Sequence, residues 1–447
     1  MMHFIYSQLM RILLPLMLLR LLKKAKLNPD YKKRWCERLC KSQKKLNAKK
    51  GGFVVHVASL GEAIAANAII KALLEKYPHE AITVTCTTPT GSAQIIKSFA
   101  SSVHHCYLPF DLPWLQNRFI KHLQPKVLIL METELWPNLI NAAKKNHCRI
   151  FVMNARMSER SAKGYKKLAQ LTNSMMKKLD VVAAQDSTDG KRFAELGCRA
   201  HRIKVTGNLK FDTHLSAVQK SQITSFGEQL KLKRPVWLAA STHPGEDEII
   251  LQAHQYLLKQ QPDLLLILVP RHPERFLPVY QIAKKTFNSQ QKSQLTGPLA
   301  STVQVLVGDT LGEMHLYNSL ADIVFIGGSL VERGGHNPFE AACQYKAIIH
   351  GPYTFNFATS YHYLTEQNAS LLVTESSLAN NVAQLLQDTQ ARLRLATAAK
   401  SSQQKMQGAT ERTLQLIDNQ YRIAKRMQKQ PAHQQTINLT RLLRIRS

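Results

Sequence analysis

A carboxylate follows the first strand-like run of the chain at a position where it could act as a base. Residues 53–57 (FVVHV) suit a buried strand, and Glu62 stands where a helical pattern begins. A strand–turn–helix of this kind predicts that Glu62 lies at the carboxyl edge of a sheet, where open α/β sheets bind their ligands. A carboxylate there could take a proton from a substrate hydroxyl. Ser59 and Glu62 also have the spacing of a capping box, so this segment leaves both a general base and a helix cap open.

Further charged side chains follow later strand-like runs of the first half. Glu132 and Glu134 come directly after the apolar run 126–130. Two carboxylates at a strand end are costly to bury unless they serve binding or face water. Lys210, in the segment Thr206–Asp212, could stabilise negative charge on a departing phosphate.

A glycine-rich turn in the second half has the features of a nucleotide site. The run 322–326 leads into Gly327–Ser329, where the backbone can approach a ligand closely. Asn337 could cap a following helix and Pro338 suits its first turn. The start of such a helix offers free N–H groups to a phosphate. Glu340 could either complete the cap or hold ribose hydroxyls.

Two other strand ends of the second half carry polar groups. Pro270 and Arg271 follow the run 263–269. An arginine fork matches a phosphate or a carboxylate, although an arginine after a strand often pairs with a neighbouring acid. The segment Gly308–Glu313, which includes Leu311 and Gly312, precedes another helical pattern and offers backbone N–H groups and a carboxylate.

These groups must be positioned by alternating strands and helices. Strands are predicted at 53–57, 82–87, 127–131, 149–153, 180–184 and 202–206, and again at 235–240, 264–269, 303–307, 322–326, 346–350 and 370–373. Helical patterns lie between them, for instance at 62–76, 161–178 and 187–196. Two successive runs of β/α alternation predict two doubly wound parallel sheets, with a linker at 212–234. The glutamine-rich patches 289–294 and 428–435 are interpreted as a loop and a tail.

No GxGxxG follows the first strand and no GxxxxGK[ST] occurs, which disfavours a dinucleotide cofactor and a P-loop ATPase.

The composition favours an anionic partner. The 447 residues suffice for two domains, and 60 Lys and Arg against 30 Asp and Glu give a net charge of +30. Such a charge suits nucleic acid, acidic lipid or a phosphorylated substrate. The seven cysteines form no CxxC pair, which indicates reduced thiols in the cytoplasm.

The amino terminus is predicted to contact a membrane. Residues 4–22 are mostly apolar but contain Arg11 and Pro15. About 19 residues barely span a bilayer, and a central arginine is costly in lipid. A full span and an interfacial anchor both remain open, and the anchor is favoured. The lysines and arginines at 23–34 keep the following chain on the cytoplasmic side and suit anionic headgroups.

Taken together, the strand-end motifs resemble one family, the 3-deoxy-D-manno-oct-2-ulosonic acid (Kdo) transferases of Gram-negative lipopolysaccharide assembly. The resemblance covers about residues 4–415 and rests on Ser59–Glu62, Met131–Asn138, Asn154–Ser161, Gly207–Asp212, Val269–Arg275, Gly308–Glu313, Gly327–Ser329 and Asn337–Glu340. Leu60, Leu311 and Ala341 depart from the family pattern by packing-scale changes only.

The resemblance implies an inverting glycosyltransferase of GT-B fold with two facing Rossmann-like domains. It implies a CMP-Kdo donor and a lipid A precursor, lipid IVA, as acceptor, at the cytoplasmic face of the inner membrane. Glu62 would be the general base, and Glu132 and Lys210 would stabilise the transition state. The residues expected to line the CMP pocket are Pro270, Arg271, Leu311, Gly312, Glu313, Asn337, Pro338, Phe339 and Glu340. No metal, no other cofactor and no nucleic-acid partner are expected.

The implied domains are a membrane anchor at 1–30, an acceptor-binding domain at 31–220, a CMP-sugar-binding domain at 221–420 and a basic tail at 421–447. Two alternatives stay open at this point. One is a GT-B transferase that uses another nucleotide sugar. The other is a basic module that binds nucleic acid or membrane without catalysis, and the strand-end carboxylates argue against it.

Overall fold

The computed structural model describes residues 2–41, 50–212 and 215–429. The strands are β1 Phe53–His56, β2 Ile82–Cys86, β3 His104–Tyr107, β4 Val127–Met131, β5 Arg149–Ala155, β6 Val181–Ala184, β7 Ile203–Val205, β8 Val236–Thr242, β9 Leu265–Pro270, β10 Ser289–Gln291, β11 Val305–Val307, β12 Ile323–Ile326, β13 Ala347–His350 and β14 Leu371–Leu372. The helices are α1 Met2–Leu27, α2 Trp35–Arg38, α3 Leu60–Lys76, α4 Pro89–Phe99, α5 Pro113–Leu123, α6 Pro137–Lys145, α7 Glu159–Lys166, α8 Ala169–Met176, α9 Ser187–Glu195, α10 Ala217–Leu230, α11 Asp247–Leu258, α12 Phe276–Lys284, α13 Met314–Leu320, α14 Phe339–Ala342, α15 Ala358–Glu366, α16 Leu378–Gln387, α17 Thr389–Met406 and α18 Ala409–Lys429.

The first compact unit joins Met1–Leu209 with Gly408–Ser447. Its described strands form one parallel sheet in the order β3-β2-β1-β4-β5-β6-β7. The central strands β1 and β4 are buried along their whole length, as expected for a sheet covered by helices on both faces. Two apolar clusters cover those faces, one around Leu128 and Phe119 and the other around Ile69 and Phe151.

The second compact unit comprises Lys210–Gln407. Its described strands form a second parallel sheet in the order β10-β11-β9-β8-β12-β13-β14. Trp237 on β8 packs among apolar side chains on one face, and Leu238 packs on the other. The prediction of two doubly wound parallel sheets is therefore confirmed.

The units divide the chain at places that differ from the expected domain limits. The expected linker at 212–234 contains α10, which begins in a capping box of Ser216 and Gln219. The helix is held by the burial of Phe226 and Leu230. Because the rest of α10 is polar, its pattern resembles a loop in the sequence.

The segment after residue 408 returns to the first unit as α18. Ile417, Tyr421 and Ala424 are buried, and the Tyr421 ring stacks on Phe53 of β1 at 5.1 Å between centroids. The expected basic tail at 421–447 thus begins inside a packed helix. Its remainder, 430–447, lies outside the described residues, as does most of the glutamine-rich patch at 428–435.

Helix α1 has one face on the first unit and one face outside. Tyr6 donates to Asp111 at 2.9 Å and Ser7 donates to Asn138 at 2.9 Å, while Met10 joins the core. The opposite face carries an exposed stripe of large apolar side chains, which are Ile5, Leu9, Ile12, Leu16 and Leu19. Their spacing of three and four residues places them on one side of the helix.

Candidate active site

The carboxyl edges of β1 and β4 form the topological switch point of the first sheet. These strands are neighbours, and the chain continues to β2 and β3 on one side and to β5, β6 and β7 on the other. Open α/β sheets bind ligands at such a point. Glu62 follows β1, and Glu132 and Glu134 follow β4, so three carboxylates converge at this edge.

Glu62 is the third residue of α3, whose N-cap is Ser59, and it is also a candidate base. Its backbone N–H donates to Ser59 Oγ at 3.3 Å, which caps α3. Its carboxylate accepts from Ala58 N at 2.8 Å and from Ser59 Oγ at 3.0 Å. Burial, with added repulsion from Glu132 and Glu134, raises the pKa of Glu62 to about 7, although these two hydrogen bonds favour the ionised form. A carboxylate with this pKa can accept a proton near neutral pH.

Glu132 and Glu134 differ in their surroundings. Glu132 has a left-handed backbone with φ of 50°, a conformation that costs about 1 kcal/mol or more in a non-glycine residue. Glu134 accepts from Trp136 Nε1 at 2.9 Å and lies 3.6 Å from His56 Nε2. Burial opposes ionisation of Glu134, but His56 and Trp136 outweigh it and lower the pKa of Glu134. Glu134 therefore stays ionised where Glu62 titrates.

Asn154, at the end of β5, holds the turn that leads to Lys210. It is fully buried, also has a left-handed backbone with φ of 51°, and its Oδ1 accepts from Leu209 N at 3.0 Å. Its Nδ2 has no hydrogen-bond partner in the described part of the chain. Lys210 itself begins the second unit, where its carbonyl accepts from Asn337 Nδ2 at 3.3 Å. The structure thus groups Glu62 with Glu132, and Lys210 with the second-unit motifs.

A buried glutamate organises the switch point of the second sheet, between β8 and β12. Glu246 is fully buried. Its carboxylate accepts from the backbone N–H groups of His243 at 2.9 Å, Gly328 at 2.7 Å, Ser329 at 3.0 Å and Leu330 at 3.0 Å. Sequence reasoning missed this role, because the bonds join segments far apart in the chain.

The glycine turn after β12 lies very close to β8. A Cβ atom added to Gly327 would lie 2.5 Å from Ser241 O, so a larger residue would displace backbone. Gly328 has φ of 69°, a conformation that favours glycine. The backbone N–H groups at this turn bind Glu246, and they are therefore already paired.

Arg271 follows β9 and has an exposed side chain. Burial lowers the pKa of His336 to about 3, and the positive charge of Arg271 is the second largest cause. His336 stacks on His243 with Nε2 atoms 2.9 Å apart, which requires that one ring donates and the other accepts. A cationic side chain beside neutral imidazoles can bind an anionic ligand group.

The segment Asn337–Glu340 differs in detail from its prediction. Helix α14 is a single turn, and Pro338 stands before it rather than in its first turn. Asn337 Oδ1 accepts from Phe339 N at 3.1 Å, and Phe339 is fully buried against Phe211. Within the described residues the Glu340 carboxylate has no hydrogen-bond partner, so the reciprocal cap is not formed.

The profile of a family described as 3-deoxy-D-manno-octulosonic-acid transferase (kdotransferase) matches residues 33–213. The 3-deoxy-D-manno-octulosonic acid transferase of Haemophilus influenzae is 41% identical over 418 residues, which cover 93% of this chain and 98% of that protein. This chain belongs to the Kdo transferase family.

Other relatives agree with this assignment. The Kdo transferase of Bordetella pertussis is 34% identical over 376 residues, which cover 82% of this chain and 86% of that protein. A glycosyltransferase from Rickettsia africae has a TM-score of 0.54 at 13% identity, and the match covers 84% of this chain and 99% of that one. That likeness concerns the fold alone, and with the two parallel sheets it confirms the GT-B class. The resemblance drawn from the strand-end motifs is confirmed, and the protein is a glycosyltransferase.

In this Kdo transferase, Gly312 and Glu340 line one cavity of about 300 Å³ in the second unit. Leu311 beside it is 67% exposed, and Glu313 accepts from Lys292 at 2.7 Å and also from Thr310. The predicted segments 311–313 and 337–340 are therefore brought together, although Glu313 is already paired.

Asn318 also lines this cavity and was not foreseen. It is 1% exposed, and its Oδ1 has no hydrogen-bond partner among the residues described. A buried acceptor of this kind can receive a hydrogen bond from a ligand. No pattern in the sequence distinguishes Asn318, since it lies within an ordinary helix. Among the described residues no cluster of three or more His, Cys, Asp or Glu side chains has the arrangement to hold a metal ion.

Proposed function

We propose that this protein transfers Kdo from CMP-Kdo to the glucosamine disaccharide of lipid IVA, with inversion at the anomeric carbon, in lipopolysaccharide core assembly. Membership of the Kdo transferase family supports the transferred sugar. The observation that carries the mechanism is Glu62, a carboxylate of raised pKa at the carboxyl edge of β1.

Glu62 is the base in this proposal. It accepts the proton of an acceptor hydroxyl while that oxygen bonds to the anomeric carbon of Kdo. The bond between the anomeric carbon and the phosphate oxygen breaks, and CMP leaves with both electrons. The anomeric centre becomes electron-poor in such a transition state, and the negative charge of Glu132 beside Glu62 stabilises it.

Groups of the second unit bind the donor and offset charge on the leaving phosphate. Arg271 offers a planar fork to the phosphate, and Lys210 supplies a second positive charge. Glu340, whose carboxylate has no hydrogen-bond partner within the described residues, binds ribose hydroxyls. Pro270, Leu311, Gly312, Glu313, Asn337, Pro338 and Phe339 shape the CMP pocket around them.

The acceptor is a lipid, and α1 is suited to bring the protein to it. Met2–Lys26 is long and apolar enough to cross a membrane by length and composition, with a hydropathy of 1.5. However, Tyr6 and Ser7 fasten one face of this helix to the first unit. A helix that is held along the protein surface and exposes an apolar stripe favours an interfacial anchor at the cytoplasmic face of the inner membrane.

The deciding experiment is mass spectrometry of the lipid product after incubation of the protein with CMP-Kdo and lipid IVA. We expect a mass increase that corresponds to added Kdo. Glu62→Gln should lower the rate about 10²–10⁴-fold, the usual contribution of general base catalysis. The matched control is Glu75→Gln, an exposed carboxylate on the same helix, which should keep full activity. Transfer only from another nucleotide sugar would contradict the proposed donor.

A further inference from the structure

A second cavity, of about 310 Å³, lies in the first unit beside α1. Its walls come from α1, from Tyr31, from Arg38 on α2, and from the loops that follow β2, β3 and β4. It therefore opens where α1 meets the carboxyl edge of the sheet that carries Glu62. The volume lies at the lower end of the range for small-molecule sites.

Positive charge dominates this cavity. Arg20, Lys24 and Arg38 line it, against one carboxylate, Asp111. The Asp111 carboxylate is occupied by three donors, which are Tyr6 Oη at 2.9 Å and the N–H groups of Asn138 at 3.0 Å and Leu139 at 2.9 Å. Among the described residues, Asp111 forms no ion pair with Arg20, Lys24 or Arg38.

Arg38 is an unusual member of this group because it is buried without a counter-ion. It is 5% exposed. Its guanidinium donates to Thr87 O at 2.8 Å and lies over the Tyr107 ring at 4.1 Å. Its Nε has no hydrogen-bond partner, and no carboxylate forms an ion pair with it in residues 2–41, 50–212 and 215–429. A buried unpaired cation is costly, and a bound anion would remove that cost.

Most of the remaining lining is apolar. Met17 and Leu21 of α1 face the cavity together with Phe110 and Trp136. Cations and apolar side chains in one cavity are complementary to a molecule with a negatively charged head and a hydrocarbon chain. The exposed stripe on the other side of α1 places such molecules within reach.

Hydrogen bonds connect the cavity wall directly to the candidate base. Thr87 Oγ1 and Thr88 Oγ1 donate to Ala58 O at 2.7 Å and 3.2 Å. Ala58 N in turn donates to Glu62 Oε2 at 2.8 Å. Trp136, which lines the cavity, donates to Glu134. The wall residues Thr87 and Thr88 are therefore connected to Glu62 through a single residue, Ala58.

We infer that this cavity is a subsite for the lipid acceptor, in which Arg38, Arg20 and Lys24 bind an anionic phosphate group and Met17, Leu21 and Phe110 contact the adjoining acyl chain. This inference rests on the proposed function. The occupant is the acceptor itself rather than a bilayer phospholipid, because the cavity adjoins the carboxylate that would deprotonate the acceptor.

The first test compares two double variants with equal loss of charge on the same helix. Arg20→Ala/Lys24→Ala removes two cavity cations, and Lys23→Ala/Lys26→Ala removes two exposed lysines that do not line it. In mixed micelles, we expect the cavity variant to raise the KM for lipid IVA about tenfold. The control should change this KM less than about twofold, and the KM for CMP-Kdo should be unaffected in both. Equal effects of the two variants on the lipid KM would overturn the inference.

A second variant changes volume rather than charge. Leu21→Trp fills the cavity, whereas Leu22→Trp adds the same bulk on an exposed neighbour, 44% accessible, that does not line it. We expect only Leu21→Trp to raise the KM for lipid IVA. Arg38→Lys, which keeps the charge but loses the fork, should do the same, and its Tm shows whether the fold is retained.

A measurement of lipid binding in the absence of CMP-Kdo separates this inference from the proposed function. Trp136 fluorescence is followed as lipid IVA, its dephosphorylated form or phosphatidylglycerol is added, with Trp136→Phe to identify the signal. We expect a response to lipid IVA that the other two lipids do not reproduce and that Arg20→Ala/Lys24→Ala weakens. An equal response to phosphatidylglycerol would show a bilayer lipid and contradict the inference. A lipid IVA response in a protein that transfers no Kdo would contradict the proposed function alone.

Discussion

Ser59 Oγ donates to Glu62 Oε1 at 3.0 Å and, at the same time, accepts from the backbone N–H of Glu62 at 3.3 Å. The same pair thus caps α3 and orients the carboxylate. The sequence left a structural cap and a general base as alternatives, and the geometry makes them compatible. Because the cap fixes the position of Glu62 while burial raises its pKa, a local helix signal can also serve chemistry.

The rate of transfer should depend on pH through Glu62. Its pKa is about 7 and the base must be ionised, so kcat/KM for the acceptor should fall about tenfold per pH unit below pH 7 and level off above it. Ser59→Ala removes a hydrogen bond that favours the ionised form of Glu62. The fall in kcat/KM should therefore begin at a higher pH in this variant. The measurement is a rate profile from pH 5.5 to 8.5. A profile that is flat below pH 7 would count against Glu62 as the base.

Ionisation of Glu62, which should increase the rate of transfer, should lower the stability of the folded protein. The folded-state pKa of about 7 exceeds the ordinary value of 4.5, so ionisation of Glu62 destabilises the folded protein as pH rises through that interval. The stability advantage of Glu62→Gln over wild type should therefore grow by up to about 3 kcal/mol between pH 4.5 and pH 8. Urea unfolding at both pH values measures it. An advantage that does not change with pH would be inconsistent with the raised pKa.

Arg271 should govern donor affinity. Arg271→Lys keeps a charge but loses the planar fork, so the KM for CMP-Kdo should rise about tenfold while the KM for the acceptor stays the same. Arg394→Lys, at an exposed position of α17 in the same unit, is the control. Initial rates at varied CMP-Kdo concentration test this, and an unchanged donor KM would remove Arg271 from the phosphate site.

The exposed stripe of α1 should determine membrane binding. Ile12 is 73% and Leu16 is 59% exposed, so a glutamate at either place should weaken vesicle binding about tenfold or more by loss of apolar burial. Co-sedimentation with phosphatidylglycerol vesicles measures the change. Leu393→Glu, at an exposed leucine of the second unit, should bind as wild type does. Undiminished binding of the α1 variants would reject the anchor.

Most of the strands could be predicted because they are apolar and central. The two that were missed, β3 and β10, lie at the edges of their sheets. An edge strand has one neighbour and need not be apolar throughout, and β10 is Ser-Gln-Gln. The helix α10 was mistaken for a linker because only Phe226 and Leu230 bury its apolar side.

The candidate site was predictable in position but not in its electrostatics. Glu62 follows β1 by local pattern alone. Its pKa is raised first by burial and then by Glu132 and Glu134, which follow β4, the strand that pairs with β1. The same limit applies to the buried Arg38 and to Glu246, whose surroundings come from distant segments. Motif spacing carries no information on such contacts.

The return of α18 to the first unit has a consequence for biosynthesis. The second unit is one uninterrupted stretch, Lys210–Gln407, whereas the first needs residues from both ends of the chain. During translation the second unit can complete its core before α18 has left the ribosome. Until then the surface that receives Ile417, Tyr421 and Ala424 is bare, so the amino-terminal half, although made first, reaches its final packing last.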